Sequence, residues 1–170
     1  MELNYYINQM ENQLDTIITL TSEISIEQAR WKPALDSWSI LEVVNHLYDE
    51  ERSDFRVRLD IILHDPDRKW PPIDPQGWVV NRAYNQRDLV ESRDNFVEER
   101  RNSLAWLESL GSIDWEAQCD APWGSPIKAG DMFAAWVAHD LLHIRQLVEL
   151  RWAYLVQSLE SYQVLYAGEW

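Results

Sequence analysis

From Asp131 to Gln163 the chain carries neither proline nor glycine, and its apolar residues recur at helical rather than alternating spacing. Such a run dictates one long helix, starting near Asp131 and continuing past Leu155, and its apolar surface demands neighbours. Phe133, Val137, Ile144, Leu147 and Val148 supply packing, while Ala134, Ala135 and Ala138 let other helices approach closely. A helix this apolar on most sides is expected to be buried. Trp136, His139, His143 and Gln146 follow one stripe along it. Side chains four residues apart on a helix share a face, about 6 Å apart along the axis. Two imidazoles so placed can grip one metal ion from a single rigid element. A buried imidazole must in any case be hydrogen-bonded or ligated.

The rest of the chain also reads as helices joined by proline-rich connections. Leu3, Ile7, Met10, Leu14 and Ile17 repeat at bundle-helix spacing. Ser25, with Gln28 three residues on, caps a short turn through Ala29 that Trp31-Lys32-Pro33 stops. Ser39 and Glu42 form a capping box opening a helix to about Leu63. A third long helix runs from about Asp88 to Leu110, with Leu89, Phe96, Leu104 and Leu107 inward and Gly111 at its end. Four prolines between Pro66 and Pro75 make Asp65–Trp78 a loop, and Asp114–Pro126 is a second. The expected architecture is all-α, a four-helix bundle forming one domain over residues 1–170.

Charge and cysteine content narrow the function classes. Lys plus Arg number 15 and Asp plus Glu 29, a net charge of −14. Such a surface repels phosphate backbones and anionic membranes, which argues against nucleic acid and lipid partners. The single cysteine, Cys119, permits no intrachain disulfide and fits a reducing compartment. No segment approaches 18 uninterrupted apolar residues, and the first residues lack signal-peptide character. The expectation is a cytoplasmic protein.

An isolated pair of histidines four apart is usually two ordinary histidines; a third one changes the balance. His46 lies in the second helix, Trp38-Ser-Ile-Leu-Glu-Val-Val-Asn-His-Leu-Tyr-Asp-Glu-Glu51, and closes a three-histidine site if the helices are neighbours. Just beyond it, Asp49 to Asp54 contains no apolar side chain, although a bundle helix keeps its core stripe continuous. This break is either a solvated acidic face or functional. Glu50, one turn after His46 on the same face, is the candidate catalytic carboxylate, as base or as orienter of a ligand imidazole. Asp49 is a second candidate base, and Glu42 serves the capping box. Asp140 points about 100° away from His139 and is assigned to structure or to support of the ligands. Arg100 interrupts the third helix's stripe, either as an anion binder or, the favoured reading, in an inter-helix salt bridge. His64 is read as a surface residue.

Taken together, Trp31-Lys32-Pro33, Trp38-Ser39-Ile40-Leu41-Glu42, His46-Leu47 with Glu50, and His139-Asp140-x-x-His143-x-x-Gln146 resemble the DinB/YfiT-like superfamily. The resemblance extends through Asp74-Pro75, Trp78, Tyr84, Phe96-x-x-x-Arg100, Asp114-Trp115 and Pro122-x-Gly124, nearly the whole chain. It implies a four-helix bundle, often a homodimer, with a divalent metal held by His46, His139 and His143. Relatives include metal-dependent hydrolases, transferases using low-molecular-weight thiols such as bacillithiol, and a mycothiol-dependent isomerase. Imidazole suits zinc and nickel, and also copper and iron. Three neutral nitrogens with an open fourth position activate a water or hold a thiolate.

A thiol transferase would want arginines or lysines for the thiol's glycosyl and carboxylate groups, and of the few basic residues Arg93 and Arg100 are the most plausible. That scarcity favours a hydrolase acting on a small-molecule substrate over the thiol transferase. A non-catalytic metal-binding module is the third reading, and it predicts a fourth protein ligand. Trp70 and Trp78 on the first loop either cover the site as a lid or pack against the bundle end. With free histidine near pKa 6.5, protons are expected to displace metal below about pH 6.

Overall fold

Each helical period becomes a rod in the computed structural model, which describes residues 1–168. Helix α1 (Leu3–Thr21) is followed by the short α2 (Ile26–Arg30), where the Ser25 side chain accepts from the Gln28 backbone N–H. Helix α3 (Ile40–Glu50) begins at the capping box: Ser39 Oγ accepts from Glu42 N–H, and the Glu42 carboxylate accepts from Ser39 N–H at 2.8 Å. A π-helical turn, Glu51–Phe55, leads directly into α4 (Arg56–His64), making one long rod of α3 and α4. Helix α6 (Leu89–Ser109) starts under an Asp88 cap and ends before Gly111, whose φ of 65° suits glycine. Helix α7 (Ala129–Ser158) is unbroken. Helix α1 packs along α7 and α3 along α6, giving the four-helix bundle.

Both expected loops contain regular structure. Residues Pro75–Asn81 form a helix, α5, capped by the Asp74 side chain. Pro75 opens it because the first helical position needs no N–H donor. Gly77 makes room for the cap: a Cβ there would stand 1.9 Å from an Asp74 carboxylate oxygen. In the second loop, β1 (Gln118–Asp120) pairs antiparallel with β2 (Pro126–Lys128). No helix is long and apolar enough to cross a membrane among the described residues.

The bundle core has two apolar ends. One gathers Met10, Phe55, Leu59, Leu107, Phe133 and Trp136; the other gathers Leu14, Ile17, Val43, Leu47, Phe96 and Leu147. Between them along α6 and α7 lie Arg100, Asp140 and the histidine pair, so a polar layer separates the two cores. The expectation that α7 is buried on most sides needs correction. Leu141 and Leu142 are each 56% exposed, and Ala134, Ala135 and Ala138 also face outward.

Candidate metal centre

Helix α3 is buried on every side from Ile40 to Leu47, and this carries His46 inside the bundle at 5% exposure. His139 and His143 approach from α7, half-buried. Three Nε2 atoms converge: His46 to His139 at 3.4 Å and His139 to His143 at 3.1 Å. Nitrogens 2.0–2.1 Å from a tetrahedral ion stand about 3.3 Å apart, so the spacing fits a bound cation. The tautomers point the same way. His143 Nδ1 donates to Gln146 Oε1 at 2.8 Å, which leaves its Nε2 as a bare lone pair aimed at the cluster. One shared proton cannot satisfy three converging nitrogens; a metal ion can. The cluster comprises these three residues alone among the described residues, with no fourth histidine, cysteine or carboxylate in it.

Burial also sets the charge state. Desolvation first, then the neighbouring His143 and His139, push His46 down to about 2. Burial, His143 and the Arg100 cation push His139 down to about 3, and burial lowers His143. The shifts all favour the neutral form, the one that ligates metal, most strongly at His46 and His139. Lowered in this way, the histidines compete less for protons than free imidazoles, for which loss of metal below about pH 6 is expected.

The acidic break beyond His46 is not a solvated face. Asp49, Glu50, Glu51 and Asp54 are all buried, and the π-helical turn runs through them. Such a turn accommodates an extra residue and is a frequent feature of functional sites. Asp49 accepts from Tyr84 and pairs with Arg52 and Arg82, so it is structurally engaged. Glu51 and Asp140 hold the wholly buried Arg100 between them, at 2.7 Å and 2.5 Å, and Trp136 Nε1 adds a bond to Glu51. The favoured salt-bridge reading of Arg100 is thus what the structure contains. Glu51 escaped sequence reasoning, although an arginine inside a core stripe signals that a buried counter-charge must exist.

Glu50 stands behind His46, its Oε1 3.8 Å from Nδ1. Burial, then the Asp54 carboxyl, push Glu50 up to about 9, and burial raises Asp54 as well. Glu42 is committed to the capping box and to Lys32 at 2.7 Å. His64 is exposed and pairs with Asp60.

His46 and His143 open onto a cavity of about 650 Å³ walled by Trp38, Gln76, Gln146 and Leu150. Trp38 stacks on His143, the rings 6.3 Å apart and nearly parallel. Of the two readings of Trp70 and Trp78, the structure favours packing, since neither lines this cavity. Trp70 packs on Trp123 and under Arg58, and Trp78 under Arg82, while Gln76 is what α5 contributes to the cavity. A larger cavity, about 750 Å³ beside the hairpin, touches none of the histidines.

No protein of curated function matches the chain in sequence. Among solved structures, YfiT from Bacillus subtilis superposes with a TM-score of 0.77 at 19% identity, covering 88% of this chain and 85% of that one. That protein is described as "a probable metal-dependent hydrolase with an unusual four-helix bundle topology", and at this identity the likeness concerns the fold. The DinB superfamily model matches residues 9–147, a span that includes His46, His139 and His143, and the chain belongs to the DinB superfamily.

Proposed function

We propose that the protein is a metal-dependent hydrolase of a small molecule, with a divalent ion held by His46, His139 and His143 beside the 650 Å³ cavity. The observation that carries this reading is the convergence of three neutral Nε2 atoms with no fourth protein ligand among the described residues. Zinc, nickel or iron suits three imidazoles. When bound, the ion supplies Lewis acidity, polarising a carbonyl and acidifying a water.

The chain's own residues do the rest. Gln146 fixes the His143 tautomer. Glu50 is a positioning residue: its buried carboxyl packs 3.8 Å from His46 Nδ1 and backs the imidazole on the side away from the other two histidines. Hydrolysis places the water's oxygen on the acyl carbon and returns a proton to the leaving alcohol or amine. Neither arginine that a thiol cofactor would need lines the cavity: Arg100 is buried against Glu51 and Asp140, and Arg93 bonds to Ser22. The test is a panel of esters, amides and thiol–acceptor pairs with metal-loaded protein. Thiol-independent cleavage supports the reading. Thiol-dependent consumption of an electrophile would replace it with the S-transferase, and silence together with a fourth protein ligand would replace it with a non-catalytic module.

A homodimer through the outward face of α7 belongs to the same proposal. Asp131, Ala134, Ala135, Ala138, Leu141, Leu142 and Arg145 are exposed on one arc of that helix. Two copies packed antiparallel about Ala138 would set Leu141 level with Ala135, Leu142 with Ala134, and Arg145 with Asp131. Large meets small and plus meets minus. Light scattering should give about 40 kDa, twice the chain's 20.1 kDa, and Leu142→Glu should halve it. A monomeric wild-type protein would refute the dimer. The lone, buried Cys119 fits the cytoplasm as its compartment.

A further inference from the structure

Resting on the hydrolase reading, we infer that the substrate carries a positive charge, an ammonium group drawn by Asp36 and Glu149 in the lining of the histidine cavity. Asp36 and Glu149 both line that cavity, and no lysine or arginine does among the described residues. Asp36 has no ion-pair partner among the described residues. Glu149 is paired with Arg145 at 3.3 Å, but the side chains are 45% and 71% exposed, and solvent screens such a pair. The other cations near this end of the bundle are engaged elsewhere: Lys32 on Glu42, and Arg82 and Arg52 on Asp49. The remaining walls are neutral, from Trp38, Ser37, Gln76 and Gln146.

The lining therefore carries two kinds of group. Three neutral imidazoles leave the charge of a bound divalent ion uncompensated, so the histidines draw an electron-rich group such as an acyl oxygen. The carboxylates draw a cation and repel an anion. Trp38 supplies an aromatic wall, the side chain that best tolerates an ammonium against it. The net charge of −14 adds a long-range field of the same sign. A substrate with a carboxylate at its far end, the pattern of peptide-like thiols, meets two like charges here. An ester or amide whose far end is an amine meets two attractive ones.

Three matched 4-nitrophenyl esters test this with the zinc-loaded full chain: one acyl tail ending in trimethylammonium, one in its uncharged isostere tert-butyl, one in carboxylate. The expected kcat/KM order is cationic, neutral, anionic. The cationic-to-neutral ratio should be about fivefold at low salt, the product of two exposed-carboxylate attractions, and should shrink as salt rises. Asp36→Asn and Glu149→Gln should each cut that ratio about twofold. Independently of turnover, benzyltrimethylammonium should shift the Trp38 indole N–H resonance of the metal-free chain, identified through Trp38→Phe, while phenylacetate should not. Equal cleavage of all three esters, or preference for the anionic one, would overturn the cationic substrate and leave the hydrolase standing. Cleavage of none, with the ammonium-specific shift retained, would overturn the hydrolase and keep the cation site.

Discussion

Replacing Arg100 with methionine removes the one cation between two buried carboxylates, and the cost can be worked from its contacts. Nε and Nη2 donate to Glu51 at 2.7 and 2.8 Å, and Nη1 and Nη2 donate to Asp140 at 2.5 and 2.9 Å, with Arg100, Glu51 and Asp140 each 1% exposed. Burial alone would lower the guanidinium pKa; the Asp140 and Glu51 charges outweigh it and raise it. Breaking a buried pair by removing one partner costs about 3–5 kcal/mol, and here two carboxylates are orphaned, so the upper half of that range applies. For a chain of this size that is a Tm loss of roughly 8–20 °C. Asp140, raised by burial even with Arg100 beside it, loses in the variant the cation that holds it down, so its folded-state pKa rises further above the unfolded value near 4. Groups shifted upward stabilise below the unfolded value and lose that contribution as pH rises, so the penalty must be larger at pH 8 than at pH 5. Removing the whole cluster while keeping an acceptor for Trp136 Nε1, as Glu51→Gln with Arg100→Met and Asp140→Leu, should recover most of the loss. Urea denaturation at both pH values measures this. An Arg100→Met variant within about 1 kcal/mol of the parent at pH 8, or a penalty independent of pH, would refute the reasoning.

Three further outcomes follow from the same geometry. The metal-free chain should be most stable near pH 6.5–7. Its histidines, lowered to about 2 and about 3 at His46 and His139, make stability rise with pH up to the unfolded value near 6.5, while Glu50, raised to about 9, makes it fall from about 4.5 toward 9; urea midpoints at pH 5, 6.5 and 8.5 check this. Zinc affinity of the folded chain should change less than about tenfold between pH 7 and 5.5, measured by competition with a chelator, whereas three ordinary histidines would lose about a thousandfold. Glu50→Gln should leave stability at pH 7 within about 0.5 kcal/mol, because the carboxyl pushed to about 9 is already protonated there, and should weaken zinc binding roughly tenfold or more by loosening His46.

The four rods were legible because their apolar residues keep one period over many turns, as Leu3 to Ile17 and Phe96 to Leu107 do. Helix α5 was hidden by its prolines: a cluster from Pro66 to Pro75 reads as a breaker, yet Pro75 is the residue that starts a helix. The hairpin's three-residue strands are too short for alternation to register. Apolar content misled on α7, since Leu141 and Leu142 face outward and only the fold decides which side of a helix is covered. At the site, the spacing of His139 and His143 was readable without a structure, and the missing apolar residues beside His46 marked the place where polar groups turn inward. The identity of the inward group was not readable. Glu51 rather than Glu50 reaches Arg100, because α6 packs against that face of the rod, which the sequence does not specify.

Metal content of the purified, untagged chain tests the central claim most directly. Elemental analysis after dialysis should find about one divalent ion per chain, and His46→Ala, His139→Ala and His143→Ala should each lose it. His64→Ala, whose side chain is exposed and paired with Asp60, should retain it in full. Full retention of the ion in both His139→Ala and His143→Ala would contradict the account.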